Sequence, residues 1–129
     1  MERVANHRAQ SVLVVDDDAA IRAVLRQMLE FGGFRVSEAG DGHEANALLA
    51  VEPFDLVLVD LIMPEQEGLE TITGLRRNYP ALKIIAISGA FGGGFLEMAR
   101  YLGADLALPK PISRSDLLAA VGGLLGRGL

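Results

Sequence analysis

Five residues of this chain have the chemistry to act together on a phosphoryl group: Asp16, Asp17, Asp60, Ser88 and Lys110. Carboxylates brought close repel one another, and ionising all of them is costly unless a cation sits among them. Hard oxygen ligands at an open site suit Mg²⁺, which keeps several waters and accepts phosphate oxygens. A lysine and a hydroxyl opposite the acids neutralise and orient a phosphoryl group. A carboxylate held between them is a nucleophile, and transfer to it gives an aspartyl phosphate.

Each residue has a plainer reading when taken alone. Asp16, Asp17 and Asp18 after an apolar run read equally as a metal site and as a cap of the next helix, whose dipole favours acids. A lone Asp at a strand end is usually a turn residue, a lone serine a loop residue, and a lone lysine a surface charge. The argument therefore rests on joint placement, and so on the elements that bring these residues together.

Strand-length apolar runs alternate with helical patterns along the chain. Val12 to Val15 is a short β-branched run that ends in the acids. Ile21, Val24, Leu25, Met28 and Leu29 then form one helical stripe, stopped by Gly32 and Gly33. Phe34 to Glu38 alternates like a less buried strand, and Ala45, Leu48 and Leu49 mark a second helix. Leu56 to Val59 reads as a strand buried on both faces and ending at Asp60. Leu69, Ile72 and Leu75 give a third helix, and Ile84 to Ile87 a second central strand ending at Ser88. The glycine-rich stretch Gly89 to Gly94 reads as a mobile loop rather than a phosphate cradle, matching neither GxGxxG nor a P-loop lysine. It leads to a helix with Phe95, Met98, Ala99 and Leu102 on one face. Leu106 to Leu108 is a weak last strand before Pro109, Lys110 and Pro111. A capping box from Ser113 to Asp116 opens the final helix, which carries Leu117, Leu118, Val121, Leu124 and Leu125.

Five strands alternating with five helices argue for an α/β fold, a parallel sheet with helices on both faces. Functional residues in such sheets lie at the carboxyl ends of the strands, near the switch in strand order. The five reactive residues occupy those ends. An X-Pro bond takes the cis form cheaply, so a cis Lys110–Pro111 bond is expected, in a turn that aims the lysine back across the strand ends.

The 129 residues suit one domain, read as an N-terminal extension over 1–10 and a folded unit over 11–126, with no output domain attached. Half the residues are hydrophobic and 22% charged, which describes a globular chain. There is no cysteine, so disulfides, thiolate metal sites and a cysteine nucleophile are excluded. A formal charge of -5 disfavours binding to nucleic acid or anionic lipid. No apolar run approaches the roughly 18 residues of a membrane span. The expected setting is the cytoplasm.

Four blocks carry a resemblance: VLVVDDDAAIR from Val12, LVLVDLIMPEQEG from Leu56, IIAISGA from Ile84 and ALPKPI from Ala107. In this order and spacing the chain resembles the response-regulator receiver family of two-component pathways from Ser11 to about Leu125. The resemblance implies a flavodoxin-like (βα)₅ fold, doubly wound, with a five-stranded parallel sheet in the order 2-1-3-4-5. Chemotaxis receivers are known with that order. It implies a phosphoacceptor switch, not an enzyme with turnover, that takes a phosphoryl group from a histidine kinase or histidine phosphotransfer protein and changes its binding to a downstream protein.

Carried over residue by residue, Asp60 is the acceptor. Mg²⁺ is held directly by Asp17, Asp60 and the backbone carbonyl of Ile62, with Asp16 acting mainly through water. Ser88 is the switch hydroxyl, Lys110 contacts the phosphoryl group, and Gly89 lies beside it. The expected assembly is a monomer or weak dimer, as the family implies. The chain departs from the family at Ala107, where many receivers carry Tyr or Phe. A methyl group cannot swing as a ring does, so output is expected through the loop and helix after Ser88.

Two competing readings use the same residues. A haloacid-dehalogenase-type phosphatase also has an Asp nucleophile and Mg²⁺, and Asp16 with Asp18 mimics its DxD motif. Against it, Ala20 stands where that family usually has Thr or Val. A flavodoxin-type electron carrier would need a flavin-phosphate loop where the three acids lie.

Overall fold

The computed structural model describes residues 9–61, 65–89 and 94–126, without the side chains of residues 65–67, 95 and 96. Its elements are β1 (Ser11–Val15), α1 (Ala19–Phe31), β2 (Arg35–Ala39), α2 (Gly42–Val51), β3 (Leu56–Leu61), α3 (Glu65–Asn78), β4 (Lys83–Ser88), α4 (Gly94–Leu102), β5 (Leu106–Pro109) and α5 (Arg114–Leu124). The strands form one parallel sheet in the order β2-β1-β3-β4-β5. This is the order the resemblance implied.

Alternation along the strands divides the core in two. On one face Val12, Val14, Leu56, Leu58, Ile85 and Ile87 pack with Leu25 and Leu29 of α1 and with Leu117 and Val121 of α5. On the other, Leu13, Val15, Val57, Val59, Ile84 and Ala86 pack with Ala45 of α2, Ile72 and Leu75 of α3, and Ala99 of α4. The central strands β3 and β4 are apolar on both faces because both faces are covered.

Helix ends follow local chemistry. Asp18 caps α1 by accepting from the backbone N–H of Ala20 and Ile21, at 2.9 and 3.2 Å. Gly32 and Gly33 end it, Gly33 at a φ of 91° that favours glycine. Ser113 caps α5 through the Asp116 N–H at 3.0 Å. The helix runs on through Gly122 and Gly123, with Gly122 buried.

Several expectations need correction. Val24 and Met98, assigned to buried stripes, are 51% and 47% exposed. Each stripe is narrower than periodicity suggested, because one sheet face covers only part of a helix. β3 continues to Leu61, so Asp60 lies within the strand and pairs in register with Ile87. β5 includes Pro109, tolerated because β5 is an edge strand. Among the described residues, no helix is long and apolar enough to cross a membrane.

Candidate functional site at the strand ends

Register and alternation bring the acids together. Val15 of β1 is level with Val59 of β3, so the next residues, Asp16 and Asp60, are neighbours where the strands end. Asp16 continues the alternation of Val12 and Val14, and Asp60 that of Leu56 and Leu58, so both leave the sheet on one face. They are 2% and 5% exposed.

Lys110 answers them from the end of the edge strand β5, with β4 between it and β3. Its Nζ lies 2.5 Å from Asp60 Oδ2, whose side chain is fully enclosed. The ammonium meets it as a charge rather than along a hydrogen-bond direction, since both Asp60 oxygens, and Asp16 Oδ2, lack a hydrogen-bond partner in the structure. The Lys110 backbone N–H donates to the Ser88 carbonyl at 2.9 Å, which seats the lysine beside Ser88. Ser88 is buried at 2% exposure. The Lys110–Pro111 peptide is cis, as expected. Gly89 is exposed, and a Cβ there would lie 3.4 Å from the Lys110 stem.

The pair of carboxylates affects proton binding. Burial pushes the Asp16 carboxyl up to about 7, and the facing Asp60 carboxylate adds to the shift. The Asp18 N–H, which donates to Asp16 Oδ1 at 3.0 Å, and Lys110 oppose it.

The acidic triplet divides its roles. Asp16 is buried in the crevice, Asp17 is exposed, and the Asp18 carboxylate turns away to cap α1. The cap reading of the triplet is therefore realised on Asp18, while Asp16 faces the crevice. Among the described residues, no three acidic or histidine side chains form a metal cluster by themselves. Ile62, whose carbonyl was expected as a ligand, lies outside the described residues, as do Met63, Pro64, Ala90 and Phe91. Ala107 is partly buried against the α3–α4 side of the core, and Tyr101 is 86% exposed.

Arg22 was missed in the sequence. Its Nη1 donates to the Asp16 carbonyl at 2.5 Å, and its Nε to Glu38 Oε1 at 3.0 Å. Helical side chains lean toward the N-terminus, so an arginine one turn into α1 reaches back over the end of β1. That spacing was the available signal. Two surface hollows, of about 350 and 470 Å³, are lined by residues such as Ser11, Arg35, Phe54 and Leu82 at the opposite ends of the strands.

Residues 12–122 match the family model of the response regulator receiver domain, and the chain belongs to that family. It is 40% identical over 116 residues to the response regulator MprA of Mycolicibacterium vanbaalenii, a match covering 90% of this chain and 50% of that relative. The MprA of Mycobacterium avium is 38% identical over the same length. The chain thus spans about half the length of the curated relatives it matches. In fold it is similar to the CheY-like receiver domain protein from Methanospirillum hungatei, with 32% identity and a TM-score of 0.84, covering 92% of this chain and 95% of the other. The Vibrio cholerae chemotaxis protein CheY4 matches with 28% identity and a TM-score of 0.83, covering 92% of this chain and all of that one (100%). Receiver domains are phosphoacceptor switches of two-component signalling. Asp18, held at the cap, is also unavailable to pair with Asp16 as the phosphatase reading required.

Proposed function

We propose that Asp60 accepts a phosphoryl group from a phosphohistidine of a histidine kinase or phosphotransfer protein. The observation that carries this reading is the state of its carboxylate: enclosed, without a hydrogen-bond partner on either oxygen, and facing Lys110 at 2.5 Å. A buried carboxylate facing a lysine, with its lone pairs free, is poised as a nucleophile.

Receiver domains generally bind Mg²⁺ at the phosphorylation site, and the residues here fit it. Three buried carboxylate oxygens without hydrogen-bond partners, on Asp16 and Asp60, are the donors a hard cation takes. Asp60 and Asp17 would hold the ion directly, Asp16 mainly through water, and the Ile62 carbonyl would add a ligand. When bound, the ion offsets the charge of the acids and of the phosphoryl oxygens.

An Asp60 oxygen attacks phosphorus. The new O–P bond forms as the P–N bond to the donor imidazole breaks, and the imidazole keeps the electron pair. Lys110 offers its ammonium to the phosphoryl oxygens and Ser88 its hydroxyl, in an order set by the Lys110–Ser88 backbone bond. Gly89 leaves the approach beside Ser88 uncovered. Phosphorylation then changes binding to a downstream protein.

Incubation with acetyl phosphate and Mg²⁺ should add one phosphoryl group by mass spectrometry, absent in Asp60→Asn. Full labelling of Asp60→Asn would place the acceptor elsewhere.

A further inference from the structure

The carbonyl of Asp16 sits where the sheet ends. The β1–β2 ladder closes with the Asp16 N–H on the Ala39 carbonyl at 3.1 Å, and the chain then turns into α1. A main-chain oxygen at such a place needs a donor. Arg22 Nη1 supplies it at 2.5 Å. Arg22 is itself held, its Nε on Glu38 Oε1 at 3.0 Å. The other Glu38 oxygen takes Arg26 Nη1, also at 3.0 Å, and Arg26 Nε is fixed by Glu30 at 2.9 Å. Arg26 first, with Arg22, holds the Glu38 carboxyl below its ordinary range. The Arg22 side chain is only 18% exposed.

This carbonyl belongs to the peptide that joins Asp16 to Asp17. Its orientation decides how the Asp17 side chain leaves the backbone relative to Asp16. We propose that Arg22 is a positioning residue for the acidic crevice: by gripping the Asp16–Asp17 peptide, with Glu38 as its anchor, it aims the two acids at a shared divalent cation. The role rests on the reading of the crevice as a Mg²⁺ site. Groups that orient metal ligands without touching the metal commonly change affinity by roughly 10- to 100-fold when removed.

Charge and positioning predict opposite signs here, which makes the role testable. A guanidinium near the acids repels a cation, so removing it should tighten Mg²⁺ binding on Coulomb grounds alone. Loss of the grip should weaken it. Isothermal titration of the metal-free chain with Mg²⁺ measures the difference, with thermal midpoints taken beside it. Arg22→Met should bind Mg²⁺ about tenfold more weakly. Arg22→Lys, which keeps a donor, should recover most of the affinity. If Arg22→Met does not fold, Glu38→Gln loosens the same guanidinium and should weaken binding severalfold. Wild-type or tighter affinity in the folded variants overturns the positioning role. Wild-type protein that takes up no Mg²⁺ overturns the metal reading itself, and this role with it.

Discussion

Lys110 and Asp60 form an unequal pair: the carboxylate is fully enclosed, while the lysine side chain remains one-quarter exposed, 2.5 Å away. Their removal should therefore have opposite effects on the metal-free fold. Lys110→Met strands a buried charge, and breaking such pairs is strongly destabilising. The exposure of the lysine reduces the effect, to about 2 kcal/mol at neutral pH. Asp60→Asn removes the charge that faces Asp16 and leaves a lysine that water can reach, so it should raise the midpoint. Thermal unfolding in EDTA checks both. A Lys110→Met midpoint equal to wild type would mean that the pair contributes nothing to the apo fold.

The Asp16 carboxyl gives the metal-free domain a pH dependence of definite sign. Its ordinary value lies near 4, and burial beside Asp60 raises it to about 7. The folded chain therefore holds a proton that the unfolded chain releases across that window. Stability falls as pH rises from about 4 to about 7, then levels. At about 1.4 kcal/mol per pKa unit, the loss is on the order of 4 kcal/mol. Glu38, shifted downward, has its stabilisation in full above its ordinary value of 4.5 and loses it only below, so it does not mask the trend. Unfolding in EDTA between pH 5 and pH 8 should show the decline. Saturating Mg²⁺ should remove most of it, and so should Asp16→Asn. A flat profile in EDTA would show that Asp16 is ionised without cost.

Gly103 closes α4 at a φ of 135°, and a Cβ there would come within 2.8 Å of Arg76 Cβ. Arg76 cannot retreat easily. Its guanidinium donates to the Gly103, Pro80 and Leu82 carbonyls and pairs with Asp105 at 2.8 Å. Gly103→Ala combines backbone strain with a clash and should cost about 2–3 kcal/mol. Denaturant midpoints test this. A loss below about 0.5 kcal/mol, the scale of an ordinary surface change, would show that α4 ends elsewhere without penalty.

Much of the fold was legible because three of the strands are short apolar runs that reach a polar residue with work to do. The runs before Asp16, Asp60 and Ser88 located β1, β3 and β4, and the Ser113 cap located α5. Strand order was not legible in periodicity and came with the family resemblance. The width of a buried stripe was not legible either. Met98 and Val24 keep helical spacing but sit where the sheet no longer reaches. At the site, the carboxylates and the lysine could be read from strand ends. Arg22 was passed over, because its partner is a backbone carbonyl that leaves no mark on a sequence, and only its place one turn into α1 pointed to it.

The three consecutive acids should separate cleanly by mutation. Asp18 accepts from the Ala20 and Ile21 N–H groups, so Asp18→Ala should cost about 1 kcal/mol of stability, as lost N-caps do. Because its carboxylate points at the helix, Mg²⁺ affinity should change little. Asp17 is exposed, and among the described residues its side chain has no hydrogen bond or ion pair to lose. Asp17→Ala should therefore leave the metal-free stability within about 0.5 kcal/mol, while removing the direct ligand proposed above and with it most Mg²⁺ binding and phosphorylation. Asp16→Asn should behave differently from both. It keeps an acceptor for the Asp18 N–H, relieves the buried repulsion and stabilises the metal-free domain above pH 7, yet weakens Mg²⁺ by loss of charge. Thermal midpoints in EDTA and Mg²⁺ titrations on the three variants give six measurements, and the expected pattern is a different one for each acid. A destabilised Asp17→Ala that still binds Mg²⁺ would make Asp17 a structural residue and leave the cation to Asp16 and Asp60.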